Sequence, residues 1–469
     1  MEFKNDVNML TTKELIKIHI DEFTSSEEFK LMRKGVAYYK VENDISDRKM
    51  YRYEDEVKVE DETKTNNKLA HGFMHTLVDD KVNYLLLKPI TLTCKDENYL
   101  GRVKDVLGRR FQKRLSQLGN EASNKGIAWL HVYINEEGEF KMLRIPSEQI
   151  IPLWEDADHE KLYALIRFYQ VEVYEGKEKK YITKIEYWTD QTVEYYVMQE
   201  GVVILDAERY LEDVHEGHFR IHDAPSSWGR IPFIYFKNND FELPDLQFVK
   251  TLIDNYDVTR SDIANLLEDI KDIIYALRGY GGEDLGEFMR DMAYYKAIKL
   301  DEDGGLDKIE HTIDIDAAEK HYQQLKKDIF DFGQGVDKNS DKLGNSPSGI
   351  ALKFIYSGLD LKCNALEGWF KWGFEELMRF VGIYFGLTSQ TASNEDVEIM
   401  FNRDIAINES QVITDCQNSK GIISDKTIIE QHPWVEDAEE EMKQLKKENS
   451  SQEVPMLGEE DEEDEEGAE

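Results

Sequence analysis

The chain has 469 residues, a length that suggests about three domains. Lys and Arg total 58 against 96 Asp and Glu, a formal charge of −38, which argues against a surface built to grip nucleic-acid phosphates by counterion release. With 41% hydrophobic and 11% aromatic residues, global disorder is excluded.

Cys94, Cys363 and Cys416 lie far apart with no CxxC pair, so neither a disulfide framework nor a zinc ribbon is suggested and a reducing compartment fits. The first ten residues, MEFKNDVNML, contain no apolar signal core. The segment Ile350 to Leu387 is long and apolar, but it carries eight charged residues and is not read as a membrane span.

In chain order, Thr11 with Glu14 and Ser25 with Glu28 read as capping boxes opening two short helices. Tyr53 to Thr65 reads as a charged loop, and Asn66 to Leu87 as an amphipathic helix ended by Lys88-Pro89. A helix is expected from about Asn98 to Ser123. A β-meander then runs from about Gly126 to Leu205, opening with a hairpin whose turn is EEGE. Pro225, Pro232 and Pro244 punctuate its exit.

From Asp245 the period becomes helical. Leu246, Ile253, Leu267 and Ile274 share one heptad position, and Val249, Tyr256, Ile263, Ile270 and Leu277 share its companion, with Arg260 the one break. Residues 245–277 would form a rod of roughly 50 Å at 1.5 Å per residue. Gly279, Gly281 and Gly282 break it. A compact insert follows, with a hairpin turning at Gly304-Gly305, and a second long helix runs from about Ile315 to Phe332. The small-residue loop GQGVDKNSDKLGNSPSG precedes the long helix Ile350 to Leu387, the strand VEIMFNRDIAI, and helices capped by Asn408 and Ser424. A charged helix spans Val435 to Lys447. The stretch Glu459 to Glu469 holds nine acidic and no basic residues. The pattern as a whole is α+β and mainly helical.

Motifs for familiar chemistry are missing: there is no GxxxxGK[ST] loop, no GxSxG elbow and no HExxH. His71, His75 and Asp79 are spaced to share a helix face and a metal, although a solvated face accounts for them better. Asp301 to Gly304 resembles part of a calcium loop but lacks the later ligands, and a hairpin turn explains it better. No cofactor and no catalytic residue is assigned.

A lone helix cannot bury a heptad stripe, so residues 245–277 need partners along their length. The helix after the insert can return antiparallel to them, making a narrow stalk with an αβ knob. Such a stalk suits side-by-side packing of many copies, which closes into a ring; an ordinary long helix inside a globular domain is the alternative.

The order of parts and several strings resemble the portal proteins of long-tailed bacteriophages. These are YYKVENDISDR, NKLAHGFMHTLVDDKVNYLLLKPI, AWLHVYINEEGEFKMLRIPSEQIIPLWED, WGRIPFIYFKNND, YGGEDLGEFMRDMAYYKAIKLDEDGG, FGQGVDKNSDKLGNSPSGIALKFIYSGLDLKCN and GIISDKTIIEQHPWVEDAEEEMKQL. The resemblance runs from about residue 30 to 447. It implies a ring, usually of twelve subunits, at one capsid vertex, through which double-stranded DNA is packaged and ejected. It implies no enzyme activity and no membrane partner. The implied partners are the terminase large subunit, then a head-completion adaptor, with the major capsid and scaffolding proteins around the ring. The implied place is the virion, and the host cytoplasm during assembly. Another head–tail connector ring, or a packaging nuclease or motor subunit, are the alternatives.

On this resemblance, 1–244 would be the wing, 245–277 and 313–336 the stem helices, and 278–312 the clip. Residues 337–349 would be the tunnel loop, 350–408 a long wing helix with its returning strand, 409–450 the crown, and 451–469 an acidic, disordered tail. A channel must let DNA slide, so acidic lining would centre the duplex without holding it. Asp254, Asp257, Asp262, Glu268 and Asp269 either face that channel or solubilise the outside of the stem. In the tunnel loop Lys338, Asn339, Lys342, Asn345 and Ser346 would approach DNA, with Lys338 or Lys342 touching its backbone. In the clip Tyr280, Phe288, Met289, Tyr294 and Tyr295 would be divided between partner contacts and the clip's own core.

Overall fold

The computed structural model describes residues 10–210, 217–221, 224–269, 274–278, 305–309, 315–338, 349–388, 396–403, 409–435 and 437–451. They fall into two compact units, residues 1–337 with 357–404, and residues 338–356 with 405–469.

The first unit opens with helices α1 (Thr12–Ser25) and α2 (Glu27–Tyr39). The Thr11–Glu14 box forms as expected: Thr11 N–H donates to Glu14 Oε2 at 2.8 Å and Glu14 N–H to Thr11 Oγ1 at 3.4 Å. The second cap is displaced by one residue. Ser26, not Ser25, accepts from the Phe29 N–H at 3.1 Å, because the Ser25 hydroxyl is turned back onto the Asp21 carbonyl. The supposed loop 53–65 is in part a hairpin, β1 (Tyr51–Glu54) with β2 (Val57–Glu60), turning on Asp55 and Glu56 at positive φ.

Helix α3 spans only Phe73–Leu86, seven residues shorter at its start than expected. Strand β3 (Thr91–Thr93) follows. The expected helix 98–123 is two helices, α4 (Glu97–Leu107) and α5 (Phe111–Lys125), broken at Gly108, where φ is +71°. Gly126 ends α5 at φ +89°, and a Cβ there would overlap the Glu242 carbonyl, so glycine is required twice over.

The expected meander divides between two sheets. Strands β4 (Ile127–Ile134) and β5 (Phe140–Ile145) form the hairpin with the EEGE turn, but β4 also pairs with β13 (Phe233–Lys237), Trp129 facing Tyr235. Strands β6 (Ile150–Trp154), β7 (Leu162–Glu175), β8 (Glu178–Trp188), β9 (Val193–Gln199) and β10 (Val202–Leu205) form a separate five-stranded antiparallel sheet in chain order. Ile127, Trp129, Leu165, Ile185, Trp188 and Phe233 are buried in one core with Ile16, Ile20 and Phe23 of α1. His131 sits in this core, its ring stacked on Phe233 and its Nδ1 2.9 Å from the Pro232 carbonyl; burial pushes its pKa down to about 3. A short helix α6 (Ala207–Tyr210) and the pair β11 (Phe219–Ile221) and β12 (Ala224–Ser226) complete this region.

A 3₁₀ turn at Asp245–Phe248 leads into α7 (Lys250–Asp269). The expected helix 245–277 is thereby corrected. Ile274 and Leu277 lie in strand β14 (Ile274–Arg278), which pairs antiparallel with β15 (Gly305–Ile309). The apolar run there is rich in residues suited to a strand, and its spacing of three mimicked a heptad. The pairing Ile274–Ile309 brings the end of α7 beside the start of α8 (Ile315–Phe332). The two helices pack together, with Tyr256 edge-on to Tyr322. The heptad break at Arg260 has its reason here, since its guanidinium lies 4.5 Å from the centre of the Tyr322 ring.

Helix α9 (Gly349–Leu387) matches its expected limits. In the first unit its Trp372 stacks on Tyr235 at 4.3 Å, and Phe374 and Phe385 meet Phe111 and Tyr99. Gly373 lets Phe236 approach: a Cβ there would lie 2.5 Å from its ring. Strand β16 (Glu398–Met400) returns to pair with β3. In the second unit α10 (Glu409–Ser419) ends before Gly421 at φ +87°, Ser424 caps α11 (Asp425–Glu430) as expected, and α12 (Ala438–Ser451) follows. The expected cap Asn408 lies outside the described residues.

A buried ionic knot joins the roots of α7 and α8 to α3 and α9. Asp245 Oδ2 lies 2.7 Å from Lys81 Nζ and 3.0 Å from Lys362 Nζ, and its Oδ1 accepts from Asn238 Nδ2 at 2.9 Å. Lys81 also donates to Asn238 Oδ1 at 2.7 Å, and Lys362 to the Gly333 carbonyl at 2.8 Å, just past α8. Lys81 and Asp245 are 1% and 2% exposed. Burial alone would raise the Asp245 pKa, but Lys362 and Lys81 outweigh it and hold it at about 2. A carboxyl held below its unfolded value contributes stability that is present above about pH 4 and lost as pH falls through about 2. Lys81 is pushed down to about 8, first by burial and then by Lys362, against the pull of Asp245. Asp245→Asn should therefore cost about 3–5 kcal/mol near pH 7 by leaving the buried Lys81 and the half-buried Lys362 ammonium groups on no carboxylate. The cost should shrink near pH 9.5, where Lys81 sheds its proton, and thermal melts of the variant and the unaltered chain at both pH values measure it.

Candidate functional site

The acidic face of α7 is the element on which the sequence places most of its functional expectation. It is built against the extended segment between α2 and α3. Asp257, Ser261 and Asn265 recur at every fourth residue, so they form one stripe along the helix. Each accepts a backbone N–H from that segment: Asp257 Oδ1 from His71 at 3.1 Å, Ser261 Oγ from Leu69 at 3.0 Å, and Asn265 Oδ1 from Asn67 at 2.6 Å. The geometry fits because four helical residues rise about 6 Å, while two extended residues advance about 6.6 Å. The two chains therefore stay in step for three contacts. This also explains the late start of α3, since the N–H groups of residues 67, 69 and 71 are spent on α7 side chains.

Asp257 is fully buried. Besides the His71 N–H it meets His71 Nδ1 at 2.7 Å and Asn43 Nδ2 at 2.6 Å. The expectation that it lines a channel is corrected: it is a structural acceptor whose burial is balanced by three partners. Asp254 accepts from Tyr38 OH and pairs with Lys250 at 2.7 Å, and Lys250 also holds Asp44 at 2.7 Å. Burial pushes the Lys250 pKa down, but Asp254 and Asp44 more than reverse it and raise it above the usual lysine value. Asp262 pairs with Arg48 and keeps a half-exposed side chain. Glu268 is exposed and accepts from Asn67 Nδ2 at 2.9 Å. Asp269 is the last residue of α7, and its side chain lies outside the described residues. Past Ile263 the helix leaves Leu267 56% exposed, without a cover in one copy.

His71, His75 and Asp79 do not converge. His71 precedes the helix and turns to Asp257, while Asp79 pairs with His75 at 3.3 Å and accepts from Tyr39 OH at 2.7 Å. Among the described residues no group of three or more His, Cys, Asp or Glu is arranged to hold a metal. Lys338 occupies an exposed turn. Asn339, Lys342, Asn345 and Ser346 lie outside the described residues, as do Tyr280, Phe288, Met289, Tyr294 and Tyr295 and the turn Asp301 to Gly304. Ser261, Asn265, Asn43 and Asn67 were not singled out by sequence reasoning. For Ser261 and Asn265 the one signal was the DxxxSxxxN spacing from Asp257 beside the apolar stripe; Asn43 and Asn67 carried none.

Comparison with known proteins accounts for almost the whole chain. The family described as "Phage portal protein, SPP1 Gp6-like" matches residues 19–454. The portal protein of Bacillus phage SPP1 is 33% identical over 421 residues, covering 88% of this chain and 83% of that one. The portal protein of Clostridium phage phiCD119 is 34% identical over 391 residues, covering 80% and 83%. Among solved structures, a chain from the neck of a native GTA particle computed with C12 symmetry overlaps 76% of this chain and 88% of its own, with 12% identity and a TM-score of 0.39.

Asp257→Ala leaves a buried Asn43 amide and the His71 N–H without their acceptor and should cost about 2–4 kcal/mol, whereas Glu268→Gln at the surface should stay within about 0.5 kcal/mol. Paired thermal melts measure the difference; equal effects would mean that Asp257 is not the anchor of this contact.

Proposed function

Since the chain belongs to the SPP1-type family of phage portal proteins, we propose that identical copies close around an axis into a ring at one capsid vertex, usually twelve in number, and that double-stranded DNA passes through the bore. The observation that carries this reading is the family match over residues 19–454, supported by two relatives at 33% and 34% identity that are both named portal protein. The ring is a virion component assembled in the host cytoplasm. It works as a conduit, not a catalyst.

In this reading α7 and α8 are the stem, and the chain from 278 to 312 between them is the clip, which meets the terminase large subunit and afterwards the head-completion adaptor. The wing comprises residues 1–244 with the long helix and strand of 350–408, and it faces capsid and scaffolding proteins. Residues 337–349 form the tunnel loop and 409–450 the crown. Leu267 fits the stem role, because an apolar side chain left open in one copy is covered when a neighbour packs alongside. With Asp257 and Asp254 engaged inside the subunit and Asp262 paired with Arg48, the charges left to face the bore are Glu268 and Asp269. They repel phosphates and keep the duplex centred. The exposed Lys338, with Lys342, supplies the few weak backbone contacts.

Negative-stain images of the purified chain should show a perforated ring with a wide and a narrow end; a folded monomer under all conditions would end this reading. Lys338→Ala with Lys342→Ala should leave that ring intact and lower the DNA retained after packaging. Unchanged retention in a packaging assay would remove the two lysines from the mechanism.

A further inference from the structure

The corner between α4 and α5 is strongly basic in an acidic chain. Residues 99–120 hold six Lys or Arg and one carboxylate, Asp105, against a charge of −38 for the whole. Arg114 donates to the Met142 carbonyl, and the Arg102 guanidinium lies 5.3 Å from the centre of the Phe385 ring, so these two are held within the subunit. Lys104, Arg109, Arg110 and Lys113 are exposed and make no ion pair among the described residues. Arg109, Arg110 and Lys113 do nothing for α5, since cations at the start of a helix oppose its dipole and no acidic residue stands in that first turn. The mutual repulsion of four cations gathered between residues 104 and 113 is relieved by a negative partner.

A cleft of complementary sign lies on the far side of α9 in the same compact unit. It encloses about 580 Å³, is floored by Ile231, Phe233, Trp372 and Phe380, and is rimmed by Glu160 and Asp190. Both carboxylates are exposed and make no ion pair among the described residues. The other charges of the cleft are settled within the subunit, Glu155 by Lys161 at 2.6 Å and Glu376 by Arg230 at 2.7 Å. Trp372, Glu376 and Phe380 recur at every fourth residue of α9, toward the cleft. Phe374 and Phe385, which meet Phe111 of α5 and Tyr99 of α4, lie about half a turn round the helix from them. One subunit thus carries opposite charges on opposite faces of α9, which is the arrangement a head-to-tail contact between identical copies requires. We infer that the α4–α5 corner of one copy docks on the Glu160–Asp190 rim of the next. The inference rests on the ring proposed above and supplies the pairing that joins its neighbours. A duplex would match the corner alone, and a body of −38 opposes a free polyanion; a second copy matches corner and cleft together.

Mass photometry of the full-length chain tests this by exchanging the charges. Arg109→Glu with Arg110→Glu sets an acidic corner against an acidic cleft, and Glu160→Lys with Asp190→Lys sets a basic corner against a basic cleft. Either pair of changes alone should lower the assembled fraction about tenfold, since like charges brought together cost affinity. All four positions are exposed, so both variants should melt with the unaltered chain. Mixed in equal amounts, the two variants should recover assembly to within about twofold, because each corner then finds a cleft of opposite sign on the other variant. Such assemblies alternate, so their closed rings hold an even number of subunits. Variants that assemble like the unaltered chain, or a mixture as defective as its parts, overturn the inference and leave the ring standing. Open chains in which the exchange still works keep the contact and end the ring, and a chain monomeric under all conditions overturns both. A 20-bp duplex bound by the unaltered chain and released by Arg109→Glu with Arg110→Glu, with assembly unchanged, overturns the inference and makes the corner a nucleic-acid surface.

Discussion

Two ammonium groups share one buried carboxylate at the root of α7. Asp245 is held by Lys81 of α3 and Lys362 of α9, and Lys362 reaches on to the carbonyl of Gly333 at the end of α8. Four segments far apart in sequence thereby meet within hydrogen-bond distance of each other. Desolvation makes such a cluster costly to assemble and more costly to leave incomplete, so it selects one arrangement of its members and penalises every other. Where α7 begins and α8 ends within the first unit follows from it.

Beyond this root α7 is held in two ways. Its first half and the 3₁₀ turn before it are packed by apolar side chains, with Leu246, Val249, Ile253 and Tyr256 buried. Its second half is held by hydrogen bonds, through Asp257, Ser261 and Asn265 to the backbone of residues 67–71. Apolar packing tolerates small slips, whereas hydrogen bonds to a backbone set a register. The change from one to the other falls just past Tyr256, where α7 lies between α8 and the segment 67–71.

Much of this was legible in the residues, and the losses have physical causes. The long helix 349–387, the return helix 315–332 and the EEGE hairpin carried strong periodicities that packing did not override. The helix 245–277 was overextended because Ile274 and Leu277 satisfy a heptad and a strand equally well, and only the distant partner Gly305–Ile309 decides between them. The start of α3 was misplaced for a similar reason: Asn67, Leu69 and His71 suit a helix, but their N–H groups are claimed by α7. The acidic stripe illustrates the limit most clearly. Composition shows that Asp257 is charged, yet whether it meets solvent or three buried donors depends on Asn43 and His71, some two hundred residues away in sequence.

The three-point match between α7 and the segment beside it gives the helix the character of a detent. The acceptors recur every 6 Å or so, hence a displacement of α7 along its axis by a single residue unseats all three bonds together, and even a slip of four residues brings only two acceptors back opposite N–H groups. A thrust applied at the far end of the helix is then not absorbed by gradual creep. It is passed whole into the body that holds residues 67–71, up to the load at which the catch releases in one step.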